Sequence, residues 1–426
     1  MPSADVHHAL TPRRERATLL ALAAVQFTHI VDFMIMMPLG SQLMRQFDIT
    51  PAQFSHLVAS YGLAAGVSGL AGGFILDRYD RKRALIALYS GFGLATLACG
   101  FAPTHLALLA ARIAAGAFGG VSGSMVTAMV GDIIPIERRG RALSVVMSAF
   151  PIASVMGVPA GLMLAGHFGW HAAFIMLGAC AAANVILAAV ALPPIRTAVL
   201  TTNPFRQMRE IVTHGVHLRA FALGGVLVMA GGCLVPFIAP SMIANMGLTD
   251  NQLPWAYAAG GACTFFSMPV VGRWSDRVDK FRLLVWMSVV AIVVMLVFTR
   301  LGPTPLVTVC VMMALFMVSM SSRYTPAMAM ITNAVEARYR GGFMSVNASL
   351  QQAASAGANI LAGAFVTTGA GGRLVGLPML SYASGGFFLL TVLAAHQLRA
   401  AAPHVSAPVP FPTSHRPVAE VELPAA

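Results

Sequence analysis

Charge is scarce in this chain: 10% of its 426 residues are Asp, Glu, Lys or Arg, against about 25% in an average soluble domain. A soluble protein of this length could not cover its surface with so few charges, whereas 57% apolar residues suit a chain whose solvent is lipid. Cysteine supplies no framework either. Cys99, Cys180, Cys233, Cys263 and Cys310 all lie in apolar segments without CxxC spacing, which disfavours disulfides and a thiolate metal site and leaves them as small packing residues. The two lysines, Lys82 and Lys280, do not follow glycines, so the chain lacks the phosphate-binding loop of a nucleotide-driven pump. No serine or cysteine stands at a nucleophile's spacing from His29 and Asp32, which weakens an intramembrane enzyme. No cofactor and no metal are expected. The net charge of +12 is split into short clusters between apolar runs, unlike the single basic surface of a nucleic-acid binder, so no nucleic-acid partner is expected.

What the sequence has in abundance is long apolar runs. A bilayer core is crossed by about 20 helical residues, and runs of that size fall at 17–41, 53–76, 83–101, 105–134, 142–166, 170–192, 217–244, 252–274, 282–300, 305–334, 342–369 and 376–398. The first run is too long for the apolar region of a cleaved signal peptide and has no clear cleavage site, so it reads as a retained helix. The expected fold is therefore an all-α membrane protein of twelve transmembrane helices. Lys and Arg set its orientation. With the N-terminus in the cytoplasm, 22 of the 27 basic residues flank the inner ends, and only Arg45, Arg300 and Arg373 lie outside. Arg112 and Arg323 fall within runs. A missed helix would scramble this split, so both termini are expected in the cytoplasm and the chain in the inner membrane. Residues 1–16 read as a cytoplasmic N-terminus, 17–192 and 217–398 as two bundles of six helices, 193–216 as a linker loop with Pro193, Pro194 and Pro204, and 399–426 as a disordered Pro- and Ala-rich tail.

The two bundles repeat each other weakly. Gly73-Phe-Ile-Leu-Asp77-Arg78-Tyr-Asp80-Arg81-Lys82 follows the second run, and Gly272-Arg-Trp-Ser-Asp276-Arg277-Val-Asp279-Lys280 follows the eighth. Arg139-Gly140 and Arg340-Gly341 recur at nearly the same offset. A parallel duplication of this kind places a solute path between the halves, near the bilayer midplane.

One carboxylate, Asp32, sits deep in a run, where insertion costs about 2.5–3.5 kcal/mol and the residue is by default functional. Gln26, His29 and Asp32 share a helical face, which is expected to line the cavity, with His29 a further candidate, after Asp32 and Arg112, for the proton-coupling site. Burial and a nearby cation act oppositely on a carboxylate's hold on its proton, and a group balanced between them can exchange protons as access alternates. At about 1.5 Å per residue, Arg112 lies at a similar depth to Asp32 and is its expected counter-charge; bracing of helix carbonyls is the alternative. Arg323, just before Pro326, would attract an anionic group of a solute or pair across the bundle. Gln352, Ser355 and Asn359 share a face and would bind solute or hydrogen-bond between helices.

The G-x-x-x-D-R-x-x-R-K segment resembles the loop between the second and third helices of the major facilitator superfamily. Asp80 and Asp279 stand where that family usually has glycine, a departure that weakens the turn expected there. Leu108-x-x-x-Arg112-x-x-x-Gly116 is similar to the family's embedded arginine motif, and Gly157-Val-Pro159-Ala-Gly161 to its antiporter motif in the fifth helix. The stretch of the first run from Asp32-Phe33-Met34 through Pro38-Leu39 resembles the twelve-helix drug and sugar efflux branch. The resemblance implies two pseudo-symmetric six-helix bundles and proton-coupled efflux of a small organic solute by alternating access, carried out by a monomer. It also implies a cytoplasmic gate in which Asp77, with Gly73, Arg78 and Arg81, meets the eleventh helix, and Asp276, with Arg277, meets the fifth. Proton-coupled uptake by symport is the alternative within transport; a membrane sensor without transport is the alternative outside it.

Overall fold

The computed structural model describes residues 11–75, 79–193, 204–336 and 339–408. Twelve long helices cross it in chain order: α1 (Pro12–Ile35), α2 (Pro51–Ile75), α3 (Arg81–Gly100), α4 (His105–Ile133), α5 (Arg138–Phe168), α6 (Trp170–Ala191), α7 (Gly215–Ala244), α8 (Leu253–Arg277), α9 (Lys280–Phe298), α10 (Leu306–Asn333), α11 (Arg340–Phe365) and α12 (Leu377–Ala401). Among the described residues ten of them are long and apolar enough to cross a membrane. The other two, α8 and α11, have 25 and 26 residues, enough for a core about 30 Å thick. Their polarity comes from Arg273, Asp276 and Arg277 at the end of α8 and from Asn347, Gln351, Gln352 and Asn359 within α11. Both lie against the opposite half, α11 along α2 and α8 along α5; protein buries Asn347 and Asn359, while the charged end of α8 is exposed.

Helix starts follow from local chemistry. Asp80 and Asp279 both have φ −60° and ψ 120° and act as N-caps. Each accepts a 2.9 Å hydrogen bond, from the backbone N–H of Arg83 and of Arg282. The departure from glycine is thus no weakness in the turn, because the backbone there is extended and the helix gains a carboxylate cap. Thr104 caps α4 in the same way through the Ala107 N–H. Pro38 breaks α1, and Met36–Leu39 form a turn before a short helix, Gly40–Phe47. The seventh helix breaks at Cys233–Leu234. Within α5, Ala153–Gly157 make a π-helical turn in which the Val158 N–H donates to the Ala153 carbonyl. Pro159 follows and has no N–H to offer the α-helical ladder.

One apolar core spans both halves on the face remote from the termini. It joins Leu39, Leu43, Phe54 and Leu57 to Leu234, Phe237 and Met242, and the Phe54 and Phe237 rings are 6.4 Å apart. Arg45 and Asp250 form an ion pair between the halves at the same face, 2.7 Å long. Toward the termini the packing divides. Leu22, Leu85, Met129 and Val146 belong to a core of the first half, and Phe221, Leu284, Met330 and Phe343 to a separate core of the second. The bundles are joined at one end and hold separate cores at the other.

Two segments are more ordered than their composition implies. The linker contains a helix, Pro204–Thr213, whose Ile211 is buried in the core of the second half. The tail expected to be disordered from residue 399 is folded as far as it is described. α12 runs to Ala401 and a 3-10 turn follows at Pro403–Ser406, with Val405 fully buried. The physical reason is specific pairing: Lys280 Nζ donates to the Ala407 carbonyl at 2.6 Å, and the Ser406 hydroxyl donates to Asp279 at 3.1 Å.

Candidate functional site

Asp32 and Arg112 meet in the middle of the first bundle. Arg112 Nη1 donates to Asp32 Oδ2 at 2.8 Å, and the two side chains are 1% and 0% exposed. Nη1 also reaches the Asp32 carbonyl oxygen at 3.5 Å. Thr96 of α3 donates its hydroxyl to Asp32 Oδ1 at 3.3 Å. On the other side, the Arg112 guanidinium carbon stands 4.3 Å from the centroid of the Tyr61 ring of α2. Four helices thus converge on one ion pair, and each partner is held by more than the other: the carboxylate by a hydroxyl, the cation by an aromatic face.

The sequence permits this approach through small residues on α4. A Cβ at Gly116 would collide with the backbone carbonyl of Tyr61, and one at Gly120 with that of Ala65. The glycine that ends the arginine motif is therefore the reason Tyr61 can sit beneath Arg112. Gly119 and Gly123 face His29. That ring lies 6.2 Å from Tyr61 and 5.8 Å from Phe92, and neither of its nitrogens has a hydrogen-bond partner among the described residues. Gln26, a turn closer to the N-terminus, is partly buried with Oε1 unpartnered.

Gly157 and Gly161 bring α5 onto the helix that carries Asp32. A Cβ at Gly157 would strike Val31, and one at Gly161 would lie 2.8 Å from Ile35. The opposite side of the π turn meets the second half, where Gly261 of α8 packs against the Ser154 carbonyl. Pro159 is buried on the same segment. The fifth helix therefore packs on side chains of α1 at its motif glycines and on α8 at Ser154 of the π turn.

In the second half, Arg323 of α10 is 4% exposed. Its guanidinium carbon lies 4.4 Å from the Phe388 ring centroid of α12. Nη2 points at Gly231 of α7, at 3.2 Å from where a Cβ would stand. Nε and Nη1 have no hydrogen-bond partner among the described residues. On α11 the expected face divides. Gln352 packs its Cβ toward Gly66 of α2, the Ser355 backbone lies against Gly232 of α7, and Asn359 is buried with Oδ1 unpartnered. The neighbouring Gln351 makes the specific contact instead, accepting a 3.1 Å hydrogen bond from the Tyr324 hydroxyl.

The gating residues are only partly visible. Gly73 falls in the last turn of α2; Asp77 and Arg78 lie outside the described residues. Arg81 forms a 2.5 Å ion pair with Asp132 at the end of α4. Asp276 and Arg277 are exposed at the end of α8, with no ion pair among the described residues. The residues that sequence reasoning missed are Tyr61, Thr96 and Asn184. Asn184 of α6 donates to Thr28 Oγ1 of α1 at 2.9 Å and to the Ala24 carbonyl at 3.0 Å. An asparagine within an apolar run is itself a signal for a helix-to-helix bond. A tyrosine and a threonine in such runs carry no comparable mark.

Comparison with known proteins agrees with this architecture. The family model described as Major Facilitator Superfamily matches residues 22–357 and 220–423. An uncharacterised transporter of that type from Bacillus subtilis (strain 168) is 26% identical over 271 residues, which cover 62% of this chain and 67% of the relative. A chloramphenicol efflux pump of Mycobacterium tuberculosis (strain ATCC 25618 / H37Rv) is 24% identical over 289 residues, 67% of this chain and 69% of the pump. The solved structure of a bacterial homologue of the human lysosomal transporter Spinster, in an inward-facing and occupied conformation, aligns with a TM-score of 0.70 at 17% identity. The alignment covers 93% of this chain and 97% of that one.

Proposed function

This chain belongs to the major facilitator superfamily, and from that premise we propose that it exports a small organic solute across the inner membrane in exchange for protons, with Asp32 as the proton-exchanging group. Membership makes it a secondary transporter. The single observation that carries the finer reading is the buried Asp32–Arg112 pair. The carboxylate of Asp32 and the guanidinium of Arg112 form a 2.8 Å ion pair inside the bundle. Neutralising the carboxylate removes the attraction and leaves Arg112 a buried cation without a counter-ion, a change on the scale of about 3–5 kcal/mol. A difference of that size is enough to bias two conformations of the bundles strongly.

The path for that bias runs through named contacts. Asp32 faces α3 and α4, while Val31 and Ile35 on the adjoining face of α1 meet Gly157 and Gly161 of α5. The π turn of α5 in turn meets Gly261 of α8. Protonation from outside loosens α1 from α4, and the movement is passed by α5 to the joint between the halves. The state described, with a shared core on the remote face and separate cores toward the termini, is one of the two that such a cycle requires. With the basic clusters facing the cytoplasm, the shared core of this reading lies on the outer side, and the chain works as a monomer.

Export is favoured over uptake by the fifth-helix glycines and by the efflux pumps among the relatives. The test uses inside-out vesicles containing the full chain and an imposed proton gradient. Drugs, sugars and amino-acid derivatives are offered in turn, chloramphenicol among them. The wild type accumulates its solute when the gradient is present, and Asp32→Asn abolishes the gradient-driven part. Unchanged accumulation in Asp32→Asn removes Asp32 from the coupling.

A further inference from the structure

The second half repeats the cation of the first without its acid. Arg112 meets α1 at Asp32, just before that helix breaks at Met36–Leu39. Arg323 meets α7 at Gly231, just before that helix breaks at Cys233–Leu234. Both guanidinium groups lie over an aromatic ring, Tyr61 and Phe388, at nearly the same distance of 4.3 and 4.4 Å. The difference is the partner. Asp32 answers Arg112, whereas glycine occupies the position facing Arg323, and no carboxylate pairs with it among the described residues.

A buried guanidinium carries a large desolvation cost unless it is paired and hydrogen-bonded. Phe388 covers only one face of the cation, and Nε and Nη1 remain unpartnered. A residue retained at such a cost is a binding group in waiting. Nη2 lies close against α7 at Gly231, where even a Cβ would stand only 3.2 Å away. Two turns nearer the termini on the same helix, Gly224 is flanked by Asn347 and Gln351 of α11, and Gln351 is bonded to Tyr324. This polar seam leads from the end where the two bundles have separate cores toward Arg323.

We propose that Arg323 is the recognition site for a carboxylate on the transported solute, so that the protein moves small organic acids in their anionic form. The carboxylate matches the guanidinium fork and answers Nε and Nη1, the two nitrogens without a partner among the described residues. The proposal rests on the transport reading above but not on proton coupling at Asp32, because its test is made without a gradient.

The experiment measures thermal stabilisation of the purified full chain in uncharged detergent. The probes are matched acids and amides: benzoate and benzamide, nicotinate and nicotinamide, indole-3-acetate and indole-3-acetamide. For at least one pair the acid stabilises the wild type at a concentration about tenfold lower than its amide. In Arg323→Met that preference is lost, while the melting temperature of the empty protein is unchanged or higher. Arg323→Lys keeps a reduced preference. A purely bracing arginine would instead give a lower melting temperature in Arg323→Met and no acid preference in the wild type. Absence of preference in every pair overturns the proposal. So does a preference that survives in Arg323→Met. Phosphatidylglycerol is added in a separate arm. If that lipid stabilises the wild type through Arg323 while no free carboxylate does, the anion is a headgroup and the solute assignment falls.

Discussion

Tyr61 lies beneath Arg112, with the guanidinium carbon 4.3 Å from the ring centroid, and Gly116 is the residue that lets it come so close. A Cβ at Gly116 would overlap the Tyr61 carbonyl, so α2 would have to retreat from α4. Gly116→Ala is expected to cost about 1–3 kcal/mol through overpacking and to weaken the stack on Arg112. Tyr61→Phe keeps the ring and the stability, since the Tyr61 hydroxyl has no hydrogen-bond partner. Tyr61→Leu loses about 2 kcal/mol of cation–π attraction in this desolvated setting. Melting temperatures of the three variants in one detergent check the order: wild type and Tyr61→Phe together, the other two below.

The two aspartate caps give a second prediction. Asp80→Gly should be nearly neutral, a few tenths of a kcal/mol, whereas Asp80→Ala should cost about 1 kcal/mol, because glycine tolerates the cap position and alanine does not. Asp279 does more. Beyond capping α9 it accepts from Ser406 and pairs with Arg399 at 3.3 Å, so Asp279→Ala should be the more damaging of the two alanine variants. Thermal unfolding of the pair decides whether the C-terminal contacts add to the cap.

How much of this was legible in the sequence depends on which kind of signal a residue leaves. All twelve long helices were, because apolar length is a one-dimensional signal, even for α8 and α11, which are polar enough to fall short on apolarity alone. The juxtaposition of Asp32 with Arg112 was anticipated from depth, since a rise per residue converts position into height. Tyr61 and Thr96 were not, because a helix apolar all round shows no face from which to read direction. On α11 the polar residues are spread around the helix. Choosing Gln351 over Gln352 needed to know that Tyr324 of α10 stands beside it. The order in residues 403–408 was hidden because proline and alanine look alike in a tail and in a docked turn; only Val405 packing and Lys280 distinguish them.

That docked turn makes a third prediction. Val405 is fully buried against the core of the second half, and burying a valine is worth about 1.5–3 kcal/mol. A chain ending after Pro408 keeps Val405, Ser406 and the Ala407 carbonyl that receives Lys280. It should melt like the full chain. A chain ending after Ala402 loses all three contacts and leaves Lys280, 2% exposed, without its acceptor. It should melt distinctly lower, and limited proteolysis should cut near Asp279 and Asn333, the points the turn holds together through Ser406 and His404. Equal melting of the two truncations would mean that the turn contributes nothing to stability.

The buried pair supplies the last prediction, because a single and a double substitution there have opposite logic. Asp32→Asn strands Arg112 in the bundle, and Arg112→Met strands Asp32; each should cost about 3–5 kcal/mol. Asp32→Asn with Arg112→Met strands neither. Its loss should be smaller than the sum of the singles and close to that of one of them or less, since an apolar replacement of an ion pair is often neutral. Transport should not follow stability. The double variant, although the more stable, should be as uncoupled from the proton gradient as Asp32→Asn, because it has no group left to carry the proton. Melting temperature and gradient-driven accumulation, measured on the same four proteins, therefore separate the structural cost of the pair from its proposed work. If coupling returned with stability in the double variant, the ion pair would be holding the bundle together and the proton would be carried elsewhere.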